Sequence, residues 1–141
     1  MPSYTFKYPS TREANDRMLD DLKRGLLEGQ IEPDLINGIS LTVSEAFTNA
    51  VIHGNREDRT KTVTLHLQVN EDEIVADIID EGNGGLGRIE ARRPSTPYDE
   101  GGRGVDLIRH FADTCRFSES AGGGLQVTVR FTRTRKDEYT L

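Results

Sequence analysis

The chain has 141 residues, 34% hydrophobic and 30% charged, with a formal net charge of -6. That length suits one domain spanning 1–141 with a real core, and the acidic balance argues against a direct nucleic-acid binder or a binder of anionic membrane. A single cysteine, Cys115, excludes an internal disulfide, no run of 18 apolar residues offers a membrane span, and Met1-Pro2-Ser3-Tyr4 lacks the basic-then-apolar pattern of a signal peptide, so a cytoplasmic protein is expected.

Tyr4 to Tyr8 alternates weakly, as an edge strand does. Ser10-Thr11-Arg12-Glu13 has the spacing of a capping box, and the helix it opens runs to about Glu28, with Met18, Leu19, Leu22, Leu26 and Leu27 inward and Gly29 as its stop. Pro33 and the N-cap candidate Asp34 open a second helix that ends near Gly54. At about 100° per residue, Ile36, Ile39, Val43, Phe47 and Ala50 form its apolar stripe, while Thr42, Glu45, Asn49 and His53 form another, polar one.

Val63, Leu65, Leu67 and Val69 alternate with Thr62, Thr64, His66 and Gln68, which predicts a half-buried strand. After the turn Asn70-Glu71-Asp72-Glu73, the stretch from Ile74 to Asp80 is nearly all apolar and reads as a central return strand. Glu81 to Arg103 has little periodicity and many glycines; a connection that long is uncommon and usually functional. Val105, Leu107, Ile108, Phe111 and Ala112 suggest a short helix. Thr114 to Ser118 and the alternating Leu125, Val127, Val129 and Phe131 form a last hairpin turned at Gly122-Gly123-Gly124. The order strand, two helices, hairpin, long loop, helix, hairpin predicts an α+β fold: a two-layer sandwich, an antiparallel-rich mixed sheet with helices on one face.

Three segments carry candidate chemistry. Glu45 and Asn49 lie one helical turn apart, where a carboxylate and a carboxamide can converge on one metal ion or one water, although such pairs also make ordinary solvated faces. Asp80-Glu81-Gly82-Asn83-Gly84 ends a buried strand with a carboxylate able to accept hydrogen bonds from an amino-bearing base; Gly82 and Gly84 admit close approach of a flat ring, and a self-capped turn fits the same letters. Gly101-Gly102-Arg103-Gly104 precedes a helix, an arrangement that suits phosphate oxygens or a plain hinge. No Gly-Lys-Ser/Thr follows, so it is not a P-loop.

In this order, E-x-x-x-N-A, then D-x-G-x-G, then G-x-G before a helix resembles the GHKL (Bergerat-fold, histidine-kinase-like) ATPase superfamily. Ser44 to Asn55 and Gly101 to Ile108 are similar in wording to its bacterial anti-sigma-factor serine/threonine kinases, and the resemblance spans essentially the whole chain. It implies ATP and Mg²⁺ as cofactors. Asn49 would coordinate Mg²⁺ and Glu45 would be the general base. Asp80 would bind the adenine amino group, with Gly82 and Gly84 lining the base pocket. Gly102, Arg103, Gly104 and Val105 would hold phosphates, residues 85–100 would be the ATP lid, His53 would support the site, and Thr128 would face adenine through water. The resemblance further implies phosphorylation of a serine on a STAS-domain anti-anti-sigma factor, sequestration of a sigma factor, and a homodimer. A non-catalytic nucleotide-dependent regulatory module and a detached histidine-kinase ATP-binding domain are the alternatives. Gly84-Gly85-Leu86 and Gly124-Leu125-Gln126-Val127 depart from the subfamily's wording.

Overall fold

A computed structural model describes residues 2–83 and 111–133. They form strand β1 (Ser3–Pro9), helices α1 (Ala14–Glu28) and α2 (Pro33–Asn49), a π-helical turn (Ala50–Gly54), and strands β2 (Thr62–Val69), β3 (Glu73–Ile79), β4 (Thr114–Glu119) and β5 (Leu125–Thr132). The sheet order is β1-β2-β3-β5-β4. All four pairings among the described residues are antiparallel, so the parallel component of the expected mixed sheet is not seen there.

The alternation of β2 does what its sequence dictates: Val63, Leu65, Leu67 and Val69 are all buried. Paired residues share a face, so the register Leu65↔Ile78 and Leu67↔Ala76 continues this apolar layer across β3, and Ile78↔Val127 and Ala76↔Val129 continue it across β5. The central place expected for the return strand is confirmed, with β3 flanked by β2 and β5. Helix α1 lies on β1 and β2, and α2 on β3. Met18, Leu22 and Leu26 of α1 and Ile39, Val43 and Phe47 of α2 complete the core; full burial of such a side chain is worth ~1.5–3 kcal/mol each. The opposite face is mostly polar, with Thr64, His66, Gln68, Asp77, Gln126, Thr128 and Arg130 around the apolar Val75 and Ile79 of β3.

Several local expectations are corrected. Leu27 is 64% exposed: it stands about 100° from Leu26 around the helix, off the stripe that Met18, Leu22 and Leu26 define. At the start of α1, Thr11 Oγ1 accepts the Ala14 N–H (3.3 Å), and Glu13 makes no side-chain cap, so the capping box does not close. Helix α2 begins at Pro33 and not after Asp34. Pro supplies a helical φ at a position that needs no N–H, and it holds Glu32 extended before it (ψ 144°). Thr42, placed on the polar stripe by its phase, is buried and donates its hydroxyl to the Gly38 carbonyl (2.8 Å). Of the helix expected over Val105 to Ala112, only Phe111 and Ala112 are described; Ala112 is buried and Phe111 is 44% exposed.

The second helix also does not stay α-helical to its end. Its last turn closes with i→i+5 geometry, and the Asn55 N–H reaches the Ala50 carbonyl (2.8 Å). This wider turn buries the consecutive residues Ala50 and Val51 together. With its π continuation the helix covers Pro33–Gly54, 22 residues, a length and composition able to cross a membrane; here half of its apolar window is buried within the fold, as befits a core helix.

Candidate functional site

Asp80 extends the β3 ladder by one residue: its N–H donates to the Leu125 carbonyl (3.0 Å). Its side chain shares the parity of Ile78 and so points into the helix layer, where it is 4% exposed. A carboxylate buried there without partners would be costly. Its Oδ1 accepts two backbone amides, Gly82 (2.9 Å) and Leu125 (2.9 Å). The self-capped turn is therefore real, and it engages one oxygen of two.

Three glycines make the seat. A Cβ on Gly54 would overlap Asp80 Oδ2, one on Gly82 would overlap the Gly54 carbonyl oxygen, and one on Gly124 would overlap the Asp80 carbonyl oxygen. The π-helical turn thus touches both the strand end and the glycine after it. Gly82 was expected to admit a flat ring, and the close neighbour at its Cβ position is the Gly54 carbonyl. Gly54 and Gly124 were missed, because their neighbours lie dozens of residues away along the chain.

The candidate catalytic residues lie just before the π-helical turn. Asn49 is the last residue of α2 and directly precedes the turn that ends at Gly54, and Glu45 lies one α-helical turn before Asn49. Both side chains are half-buried. His53 is exposed in the last turn. Asp80, Gly82 and the Glu45–Asn49 face are therefore linked through a single continuous helix.

Thr128 is not brought to this place. It pairs with Asp77 across β3 and β5, and Asp77 has the opposite parity to Asp80, so the two lie on opposite faces of the sheet. The Thr128 hydroxyl donates to Asp77 Oδ1 (2.5 Å). The expected adenine contact is corrected to a polar pair on the open face. Gly84, the segment 85–100, and Gly102, Arg103, Gly104 and Val105 lie outside the described residues.

The donor types present suit a magnesium nucleotide: Asn49 offers a neutral oxygen ligand, and Asp80 keeps one carboxylate oxygen clear of the two backbone amides that bind the other. Among the described residues no three His, Cys, Asp or Glu side chains gather into a metal cage. Mg²⁺ is commonly held by one or two protein groups together with substrate phosphates, and needs no cage.

Residues 8–131 match the family model described as "Histidine kinase-like ATPase domain". The chain belongs to this family. Within the histidine kinase-like ATPases it is similar to the anti-sigma F factor of Clostridium beijerinckii, 35% identical over 109 residues that cover 72% of this chain and 75% of that protein. It is also similar to the serine-protein kinase RsbW of Bacillus licheniformis, 30% identical over 115 residues, covering 76% and 72% respectively. A crystal structure of the RsbU and RsbW domains of a Mycobacterium tuberculosis protein superposes with a TM-score of 0.70 at 20% identity, over 96% of this chain. This chain spans 33% of that longer one. At that identity the likeness establishes the fold, an α+β sandwich of the histidine kinase-like ATPase type.

Proposed function

We propose that this protein is an ATP-dependent protein serine/threonine kinase acting as an anti-sigma factor. It phosphorylates a serine on a STAS-domain anti-anti-sigma antagonist and sequesters a sigma factor, working as a homodimer in the cytoplasm. The observation that carries the reading is that Glu45 and Asn49 lie one turn apart on the continuous helix whose last residue, Gly54, packs against the buried Asp80. Pure nucleotide sensing needs Asn49, Asp80 and the glycines; it has no use for a base beside them. The names of the relatives over most of the chain point to the same activity.

In this reading Asp80 accepts the amino group of adenine, and Gly82 and Gly84 give the ring room. Gly102, Arg103, Gly104 and Val105 hold the phosphates, with residues 85–100 as the lid and His53 in support. Asn49 would hold Mg²⁺, which neutralises charge on the phosphates. Glu45 takes the proton of the attacking serine hydroxyl as its oxygen bonds to the γ-phosphorus and the bond to ADP breaks. Positioning and charge neutralisation supply most of the catalysis of such a transfer.

The test is a melting curve with and without Mg-ATP, followed by radiolabel transfer from ATP to a STAS-domain protein. ATP at about 100 times its dissociation constant stabilises the fold by about 2.7 kcal/mol. A melting curve unmoved by millimolar Mg-ATP sinks the assignment. Binding without transfer to any STAS partner leaves a non-catalytic regulatory module.

A further inference from the structure

Next to Asp80 the chain closes a ring of three hydrogen bonds, made by residues to which the proposed chemistry gives no role. Asn55, the residue after the π-helical turn, is 1% exposed. Its Nδ2 donates to the Thr62 carbonyl (3.1 Å), and its Oδ1 accepts the Glu81 N–H (2.7 Å). Glu81 returns the link, its Oε1 accepting the Thr62 N–H (2.5 Å). One carboxamide thus joins the end of the helix, the first residue of β2 and the residue that follows Asp80.

We propose that Asn55, with Glu81, is a positioning residue that fixes which purine base the Asp80 seat accepts. The inference rests on Asp80 being the base-binding carboxylate. Two contacts fix the strand end from opposite sides. Leu125 of β5 holds the Asp80 backbone and Oδ1, and Asn55 holds the Glu81 amide from the helix side. Gly54 and Asn55 are consecutive. The residue that packs on Asp80 Oδ2 is therefore tied to Glu81 through the Asn55 amide oxygen. The Glu81 N–H donates to Asn55, the Gly82 N–H donates to Asp80, and the chain between them has little freedom to move. Without the ring, the π-helical turn and the Asp80–Gly82 turn lose their mutual reference. Asp80 then keeps its charge and loses its aim. Recognition of an exocyclic amino group against a carbonyl at the same ring position depends on that aim, because a hydrogen bond weakens steeply as its angle departs from linear.

The experiment compares ATP with inosine triphosphate, which carries an oxygen where adenine has its amino group. Dissociation constants with Mg²⁺ are measured for wild type, Asn55→Ala, Glu81→Ala, Glu81→Gln and Asp80→Asn. Amide hydrogen exchange at Gly82 and Leu125 is followed in the nucleotide-free protein. Asn55→Ala should weaken ATP roughly tenfold, the equivalent of one well-made hydrogen bond, with inosine triphosphate nearly unchanged, so that the preference collapses. Glu81→Ala should do the same to a smaller extent, and Glu81→Gln, which keeps an oxygen for the Thr62 N–H, should restore the preference. Exchange at Gly82 and Leu125 should quicken in both alanine variants and not in Glu81→Gln. Glu81 is exposed, so its variants decide the matter even if Asn55→Ala fails to fold. A wild-type ATP preference and wild-type exchange in Glu81→Ala overturn the inference. If Asp80→Asn itself leaves the preference intact, the base-binding reading of Asp80 falls instead. The exchange data then still show whether the ring holds the turn.

Discussion

The two ends of this site are built in opposite ways. At the proposed base end, Asp80 is buried, one of its oxygens holds two backbone amides, Gly54 and Gly124 crowd it, and Gly82 lies on the Gly54 carbonyl. At the proposed reactive end, Glu45 and Asn49 sit half-exposed on the α2 surface, outside the hydrophobic core cluster. The base end is a product of folding and shares its contacts with the fold. The reactive end is a pair of side chains displayed on a finished helix. Substitutions at the first should therefore change stability and binding together, and substitution of Glu45 at the second should change rate alone.

The largest expected effect lies at the reactive end. Glu45→Ala should lower phosphoryl transfer about 10²–10⁴-fold, the usual contribution of a general base, with ATP affinity within a few fold of wild type and an unchanged melting temperature. Radiolabel transfer beside an ATP titration measures both quantities. Transfer at the wild-type rate would remove Glu45 from the base role, and a large loss of stability would break the contrast between the two ends.

Gly82→Ala tests the base end. Its Cβ would meet the Gly54 carbonyl, which is backbone and cannot swing aside. Overpacking of this kind costs about 1–3 kcal/mol, and stabilisation by Mg-ATP should vanish with it. Gly122→Ala is the control, since among the described residues nothing beyond its chain neighbours lies within 4 Å of the added Cβ. Equal melting temperatures for the two variants would show that the seat yields.

Tyr8 gives a smaller effect, away from both ends. Its hydroxyl donates to Asp21 Oδ2 (2.6 Å), and burial, then that hydrogen bond, raise its pKa. A phenol whose folded pKa lies above its unfolded value near 10 contributes stability that is fully present below pH 10 and is lost as pH rises beyond it. Tyr8→Phe should cost about 1 kcal/mol at pH 7, and the gap to wild type should narrow above pH 10. Denaturant midpoints at pH 7 and above pH 10 check it. A constant gap would mean that Tyr8 ionises as readily folded as unfolded.

How much of this was legible in the sequence follows from the range of each interaction. The alternation in β2 and the apolar run in β3 are local patterns with one physical solution, and both elements lie where expected. The stripe Ile36, Ile39, Val43, Phe47 and Ala50 is buried as its phase predicts. The π-helical turn left no trace, because five residues are too few to show a period wider than 3.6. Gly54, Gly124 and Asn55 carry meaning only once the strand end at Asp80 is beside them, and that contact is tertiary. Thr128 failed for a related reason. Parity along one strand is visible in a sequence, but parity against Asp80 requires the register Asp77↔Thr128. Sequence reasoning thus found the groups that carry charge and the glycines next to them, and it missed the backbone that holds them in place.

The smallest expected effect separates the packing duty of α2 from its reactive face. Among the described residues, two buried hydroxyls have no hydrogen-bond partner, Ser10 Oγ and Ser40 Oγ. Ser40 lies one turn before Ser44, whose hydroxyl donates to Asn15 Oδ1 of α1 (3.1 Å), so Ser40 faces the same helix–helix contact. A buried hydroxyl that makes no bond keeps its desolvation cost and returns nothing. Alanine removes that cost and is the better helix former by a few tenths of a kcal/mol. The cavity left by one oxygen is small. Ser40→Ala should therefore stabilise the protein by roughly 0.5–1 kcal/mol, whereas Ser44→Ala should destabilise it by a similar amount through loss of a made bond. Neither change touches Glu45 or Asn49, so ATP affinity and transfer rate should stay at wild type in both. Denaturant midpoints read the stability, and the same ATP titration reads the site. A lower midpoint for Ser40→Ala would show that its hydroxyl is satisfied in solution. A changed transfer rate in either variant would show that the packed side of α2 and its reactive face are coupled, and the division drawn between folding and chemistry on this helix would fail.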